Sequence, residues 1–231
     1  MNSTQSELAV PNMRRASPAK HSHSFNRFLG LILIFSMIVA LVPCRARADV
    51  SGSPTTVVQS VVTRALKVLR SKSTSVAQRR DELRQIVAGN FDFAAMSRSA
   101  LGYHWRTLSN GQRTDFTNLF TAFIEDAYLS KINDYSNQQV TFKGERSLGQ
   151  GFSQVDTNIV AAGKQPIAVN YLLLQSGGDW RIYDVTVDNI SIIANYRNQF
   201  NRVINDRGYN ALISDLRSKQ QQLAESLGQQ H

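Results

Sequence analysis

Cysteine is almost missing from this sequence, because Cys44 is the only one among 231 residues. Histidine is scarce as well: there are four, and His231 is the last residue. A single thiol cannot close a disulfide within the chain or supply several thiolates to a metal ion. Disulfide scaffolds and multi-thiolate metal centres are therefore excluded for the isolated chain.

Recognisable catalytic motifs are missing too. The sequence contains no G-x-S-x-G, H-E-x-x-H or P-loop pattern. A general base needs a partner within hydrogen-bond reach, and His104 is a lone imidazole beside Trp105, so we expect it to be structural or on the surface. Asp184 and Asp188 lie four residues apart on a predicted strand, too loosely placed to indicate a carboxylate pair.

The longest apolar run lies near the N-terminus and is typical of a secretory signal. Basic residues precede FLGLILIFSMIVALV, residues 28–42, and the small-x-small triplet Ala46-Arg47-Ala48 follows it. A membrane-spanning helix normally needs about 20 apolar residues, more than this run supplies. We expect cleavage after Ala48, which removes residues 1–48. A lipoprotein signal ending at Cys44 is the weaker alternative, because a proline precedes this cysteine.

Much of the positive charge belongs to the predicted signal. The full chain carries a net charge of +9, whereas residues 49–231 contain 20 basic and 16 acidic side chains, a net charge of +4. Nucleic-acid binding therefore loses its main support, while anionic lipid head groups remain compatible partners. The remaining length suits one domain, residues 49–218, followed by a polar tail, 219–231.

Apolar spacing predicts helices on both sides of a central β region. A stripe with helical period runs through residues 55–69, and a second runs through residues 76–87. Ser109 and Gln112 form a capping-box pattern at the start of a third helix. Helical spacing returns from Ser191, and Gly208 predicts a break in that final segment.

From residue 139 the apolar period becomes two, which predicts four strands. The sequence Ser176-Gly177-Gly178-Asp179 between the last two is typical of a hairpin turn. Strand 167–175 is apolar on both faces, so we expect it in the centre of the sheet. Helices, an antiparallel sheet and further helices together indicate an α+β domain. The predicted strands span residues 140–146, 154–161, 167–175 and 180–187.

Several motifs in the chain match those of a known protein family. They are Phe91-Asp92-Phe93, Met96, Leu101-Gly102-x-x-Trp105-Arg106, Gln112-Arg113-x-x-Phe116-x-x-x-Phe120, Tyr128 and WRIYDVTVDNISIIANYRNQF at residues 180–200. From about residue 57 to 216, the chain thus resembles the MlaC family of periplasmic phospholipid-binding proteins, also called the toluene-tolerance family, and its hopanoid-associated relatives. This family usually has glycine where the chain has Asn189, and asparagine tolerates a left-handed turn better than most residues.

The resemblance implies a twisted four-stranded antiparallel sheet wrapped by helices and enclosing an apolar lipid cavity. It also implies a periplasmic shuttle, not an enzyme, which carries phospholipid as cargo and needs no cofactor. The implied partners are an inner-membrane ABC transporter of the Mla type and an outer-membrane lipoprotein complex, and the implied role is to maintain outer-membrane lipid asymmetry. Exposing roughly 28 methylenes of two acyl chains would cost on the order of 20 kcal/mol, so a carrier is needed.

The family resemblance makes the apolar faces of the predicted elements candidates for lining the cavity. Tyr183, Val185 and Val187 should share one face of the last strand, by its two-residue period. Asp184 and Arg197 are expected to fix the corner after this strand or to form a docking surface. The candidate lipid-binding residues are Phe116, Phe120, Phe123, Tyr128, Phe142, Val169, Tyr171, Leu173, Tyr183, Val185 and Val187.

Two alternative functions remain open from the residues alone. One is a binding protein for hopanoids or other sterol-like lipids, which the same motifs would accommodate. The other is an enzyme on a cone-shaped α+β fold, with His104 or Asp184 as its base.

Overall fold

The computed structural model describes residues 52–71, 73–129 and 137–228. The predicted signal, its cleavage site and Cys44 lie outside the described residues. Within the described ranges, no helix combines the length and the apolar character that crossing a membrane requires.

Within the described residues, four α-helices and one 3₁₀ helix precede the sheet. They are α1 (Pro54–Arg70), α2 (Val76–Asn90), α3 (Phe93–Leu101), the 3₁₀ helix (Gly102–Thr107) and α4 (Asn110–Leu129). The predicted capping box before α4 is confirmed: the Ser109 backbone N–H donates to Gln112 Oε1 at 2.9 Å, and the Gln112 backbone N–H donates to Ser109 Oγ at 3.2 Å. This pair satisfies backbone groups that a helix start leaves without an intrahelical partner.

The sheet is antiparallel, with its strands in sequence order. As expected, the strand with two apolar faces is central. The prediction of four strands was one short, because a two-residue strand, β5, follows β4. The strands are β1 (Gln139–Gly149), β2 (Phe152–Val160), β3 (Ile167–Ser176), β4 (Asp179–Val187) and β5 (Ile190–Ser191).

A tight turn explains why the apolar pattern of the sequence did not predict the fifth strand. Asp188 and Asn189 have φ angles of 46° and 65°, and Val187 pairs with Ile190 across them. Two consecutive left-handed residues between paired strands are typical of a type I′ turn. Asn189 therefore adopts the left-handed conformation that we expected it to tolerate, and a strand of two residues is too short to show a period.

After the sheet, the described residues form two helices, α5 (Ile192–Arg207) and α6 (Tyr209–Gly228), separated at Gly208 as predicted. Gly208 has a φ of 85°, a conformation that glycine adopts without strain. Residues 219–228 of the predicted polar tail continue α6. Their end is anchored, because Arg80 Nη1 donates to the Leu227 carbonyl at 2.8 Å.

An aromatic cluster holds α4 against α5. The ring centroids of Phe116 and Phe120 lie 5.5 Å apart, and those of Phe120 and Phe200 also lie 5.5 Å apart. Phe123 contacts Tyr196 edge-to-face at 5.6 Å. All five side chains are at most 2% exposed, so close-packed ring contacts fix the two helices relative to one another.

Candidate functional site

A β-bulge in β4 decides which side chains face which side of the sheet. Leu173 on β3 pairs with Ile182, and Leu172 pairs with Asp184, so Tyr183 is the extra residue on β4. The bulge shifts the alternation by one position. Ile182, Val185 and Val187 therefore share a face, and the expectation that Tyr183 shares it with the two valines was wrong.

One face of the sheet, which we call the closed face, is filled by close-packed side chains. Val169, Tyr171 and Leu173 on β3 are completely buried, at 0% exposure. Their register partners on β4 are buried as well, and α1 contacts three of the strands. The closed face consists of Val155, Val169, Tyr171, Leu173, Ile182, Val185 and Val187, five of which were predicted to line a cavity.

The N-terminus of α1 is tied to this side of the sheet by hydrogen bonds. Glu145 on β1 lies opposite Val155. Its Oε2 atom accepts from the Thr55 backbone N–H at 2.9 Å and from Thr55 Oγ1 at 2.6 Å. Phe142, the remaining candidate in the sheet, is half-buried and packs against the same core. The closed face is thus a packed interior.

The opposite face, which we call the open face, retains accessible apolar surface. Leu172 and Leu174 on β3 are only half-buried, although they lie on the central strand. Thr186 on β4 pairs with Asn170, and both residues are half-buried. The residues of the open face are Asn170, Leu172, Leu174, Tyr183, Asp184 and Thr186.

Asp184 joins the open face to the start of α5. Its carboxylate accepts hydrogen bonds from the backbone N–H groups of Val185, at 2.8 Å, and Ile193, at 3.2 Å, and from the Ser191 hydroxyl. Ser191 in turn caps α5 by accepting from the Ala194 N–H at 2.8 Å. Burial raises the pKa of Asp184, and these hydrogen bonds oppose the increase. Asp184 therefore stabilises the corner between β4 and the start of α5.

Tyr128, near the end of α4, lies close to this corner. Burial raises the pKa of its hydroxyl, and the nearby Asp184 carboxylate raises it further. The Tyr128 side chain nevertheless keeps part of its surface accessible. Tyr128 thus combines a deeply buried hydroxyl with a partly accessible side chain.

Two buried hydroxyl groups in the sheet stand out. Among the described residues, Thr186 Oγ1 on the open face and the Tyr171 hydroxyl on the closed face have no hydrogen-bond partner. Burial raises the pKa of Tyr171 well above its usual range. Leaving a buried polar group unsatisfied costs about 1–3 kcal/mol, so both positions favour a bound water molecule, and the position on the open face also favours a ligand atom that could bond to it.

His104, one of the two bases considered for an enzyme, and Arg197 both have structural partners. A ring nitrogen of His104 pairs with Asn201 Oδ1 at 2.8 Å, and the ring lies 3.8 Å from that of Tyr103. Arg197 donates to the carbonyl and the hydroxyl of Ser99 at 2.5 and 2.7 Å and forms no ion pair with Asp184 or Asp188. The partner of His104 is the side-chain amide of Asn201, which cannot serve as the nucleophile that a histidine base would activate.

Leu172, Thr186 and Ile182 help to define the two faces but were not among the predicted site residues. A strict two-residue period assigns the residues of β4 to the correct face of the sheet only on one side of Tyr183. The position of a bulge depends on the pairing with β3, which the pattern of β4 alone does not contain.

The chain is similar to known lipid-binding proteins. The family profile described as "MlaC protein" matches residues 59–218. The "Intermembrane phospholipid transport system binding protein MlaC" of Haemophilus influenzae is 26% identical over 202 residues, which is 83% of this chain and 92% of that protein. A phospholipid-binding protein from Ralstonia solanacearum, solved in complex with a phospholipid, superposes with a TM-score of 0.67 at 22% identity, covering 75% of this chain and 99% of that one.

Proposed function

This chain belongs to the MlaC family, and we propose that it binds phospholipid and carries it between the inner and the outer membrane, through the periplasm. The name of the Haemophilus influenzae relative describes a binding protein of an intermembrane phospholipid transport system. The Ralstonia solanacearum protein, which shares the fold, was solved with a phospholipid bound. The secretory signal predicted at residues 1–48 agrees with transport out of the cytoplasm.

The difference between the two faces of the sheet carries the proposal about where the lipid binds. Leu172 and Leu174 keep accessible apolar surface on the central strand, whereas Leu173 between them is completely buried. Apolar surface left accessible inside a fold can be removed from water by an acyl chain, at about 0.8 kcal/mol per buried methylene. We therefore place the acyl chains between the C-terminal part of α4 and the part of the open face around Leu172 and Thr186, away from Leu174 and Tyr183.

The polar groups at this position fit an amphipathic ligand. Tyr128 borders the same region from α4, and Thr186 contributes a buried hydroxyl with no partner among the described residues. Ester and phosphate oxygens of a phospholipid are hydrogen-bond acceptors that these hydroxyls can satisfy. From the predicted lining set we retain Tyr128 and add Leu172 and Thr186. We propose that the completely buried candidates stabilise the fold around this site and do not contact the lipid.

Lipid transfer of this kind requires no covalent step. The shuttle exchanges one apolar environment for another, so it releases its cargo where a partner offers a site of comparable depth. We propose an inner-membrane ABC transporter of the Mla type and an outer-membrane lipoprotein complex as these partners. This path would maintain the lipid asymmetry of the outer membrane.

Mass spectrometry of lipid extracted from natively purified protein tests the proposal. Wild-type protein should yield phospholipid, and Leu172→Trp, which fills the open face, should yield several-fold less. Ser218→Trp on the exposed side of α6 is the matched control and should retain the wild-type amount. No lipid above the background of an unrelated protein would contradict the proposal, and hopanoid in place of phospholipid would support the sterol-like alternative.

A further inference from the structure

A surface groove lies on the outer side of the lipid carrier, where α3, the 3₁₀ helix and α5 meet the sheet. Its volume is about 540 Å³. Two of its residues, Tyr103 and Phe152, are 58% and 39% exposed and are among the most exposed large apolar side chains of the described chain. The groove is lined by Ala95, Arg98, Ser99, Gly102, Tyr103, Phe152, Leu174, Tyr183 and Arg197.

The bulge in β4 builds the apolar floor of this groove. Because Tyr183 is the extra residue, its ring points toward Phe152 and packs edge-to-face against it at 5.7 Å. Phe152 also pairs in register with Leu174. Bulges commonly redirect a side chain toward a functional surface. The floor therefore consists of one aliphatic and two aromatic side chains that remain partly accessible.

Arg197 is held in place as a fixed positive charge on the groove wall. Ser99 accepts two of its hydrogen bonds, at 2.5 and 2.7 Å. The aliphatic part of Arg197 passes 3.4 Å from the point where a β-carbon on Gly102 would lie, and Gly102 has a φ of 57°. Glycine at this position thus accommodates both the backbone and the arginine.

The positive charge of the groove is not neutralised by its own lining. Arg98 is exposed and its side chain makes no hydrogen bond or ion pair with the described residues, and none of the nine lining residues is acidic. The nearby Asp184 carboxylate is engaged by Val185, Ser191 and Ile193. A ligand with carboxylates would complement the two arginines.

We propose that this groove docks a protein partner through a segment that presents an aliphatic or aromatic side chain flanked by aspartate or glutamate. Exposed aromatic side chains combined with arginine are the composition that recurs at the centres of protein interfaces. An apolar floor favours a peptide side chain over a hydrated lipid head group. The inference rests on the proposed function, because a shuttle must dock on membrane proteins to deliver its cargo.

Site-specific photo-cross-linking in the bacterium that produces the protein tests this surface. A benzophenone amino acid in place of Tyr103 should cross-link the full chain to a membrane-associated protein, and mass spectrometry of the linked peptide should show aspartate or glutamate beside an apolar residue. Arg98→Glu should reduce the yield about tenfold. Arg217→Glu, an exposed charge reversal on α6, is the matched control and should leave the yield unchanged.

Three outcomes would overturn the docking proposal: a cross-link to a second copy of this chain, a cross-link to lipid alone, or a yield that both charge reversals leave unchanged. Absence of any cross-link at Tyr103 and at Phe152 would also overturn it. Lipid content is measured on the same variants. Normal lipid content in Arg98→Glu with a lost cross-link supports docking, whereas lipid-free wild-type protein that still cross-links contradicts the lipid proposal alone.

Discussion

The closed and open faces of the sheet are built by alternate residues of the same strand and yet differ in packing. Tyr171 and Leu173 are completely buried, whereas Leu172 and Leu174, one position along, keep accessible surface. A close-packed interior has no room for a ligand, because voids larger than a water molecule are few. The comparison supports the proposal that one face of the sheet stabilises the fold and that the other binds the lipid.

The largest expected effect compares two neighbouring leucines. Leu173→Ala should lower the free energy of unfolding of delipidated protein by about 2–5 kcal/mol, because it leaves a cavity in a filled core. Leu172→Ala should lower it by about 1 kcal/mol or less, since the side chain is only half-buried. Urea denaturation of both variants gives the two values. Equal losses of unfolding free energy in the two variants would contradict the distinction between the closed and the open face.

A smaller effect is expected from overpacking the closed face. Val185 is 3% exposed, so Val185→Trp should reduce the free energy of unfolding by about 1–3 kcal/mol while the folded fraction retains its lipid. The measurements are the melting temperature of delipidated protein and the lipid recovered per folded protein. Unchanged stability together with lost lipid would place the cavity on the closed face instead.

The hydroxyl of Thr186 provides a test of the difference between the two faces on the open face of the sheet. Thr186→Val removes a buried hydroxyl without a partner among the described residues and nearly keeps the volume of the side chain. Delipidated protein should therefore become more stable, by about 1 kcal/mol, while lipid-bound protein gains less because the ligand already satisfies the wild-type hydroxyl. Thermal unfolding with and without lipid measures both changes, and a loss of stability in the lipid-free state would contradict the assignment.

The smallest expected effect is the dependence of stability on pH. It is small because hydrogen bonds to the Asp184 carboxylate oppose the increase that burial causes in its pKa. Since the pKa of Asp184 is raised in the folded state, its stabilising contribution is present below about pH 4, the usual range of an aspartate, and is lost as the pH rises through the raised value. The stability of wild type relative to Asp184→Asn should thus fall as the pH rises from 4. Urea denaturation of both proteins across this range measures it, and an increasing difference would show a lowered pKa.

Local patterns predicted most elements of the fold, although α3 and the 3₁₀ helix were not predicted. Ser109 and Gln112, the double-glycine hairpin before β4 and the break at Gly208 each depend on a few consecutive residues, and each is present as predicted. The candidate site was predicted less well, because the face assigned to Tyr183 depends on its pairing with β3. The fully buried state of Val169 and Leu173 likewise depends on which helices cover them.

The sequence by itself determined the α+β order, the central position of β3 and the resemblance to a lipid-carrier family, because these depend on periodicity and motifs along the chain. Only the tertiary structure decided that Ile182 and not Tyr183 joins Val185 on the closed face, and that Tyr183, Arg98 and Arg197 meet in one groove. The physical reason is the bulge: one unpaired residue reverses the alternation of a strand, and its position is set by contacts with a neighbouring strand.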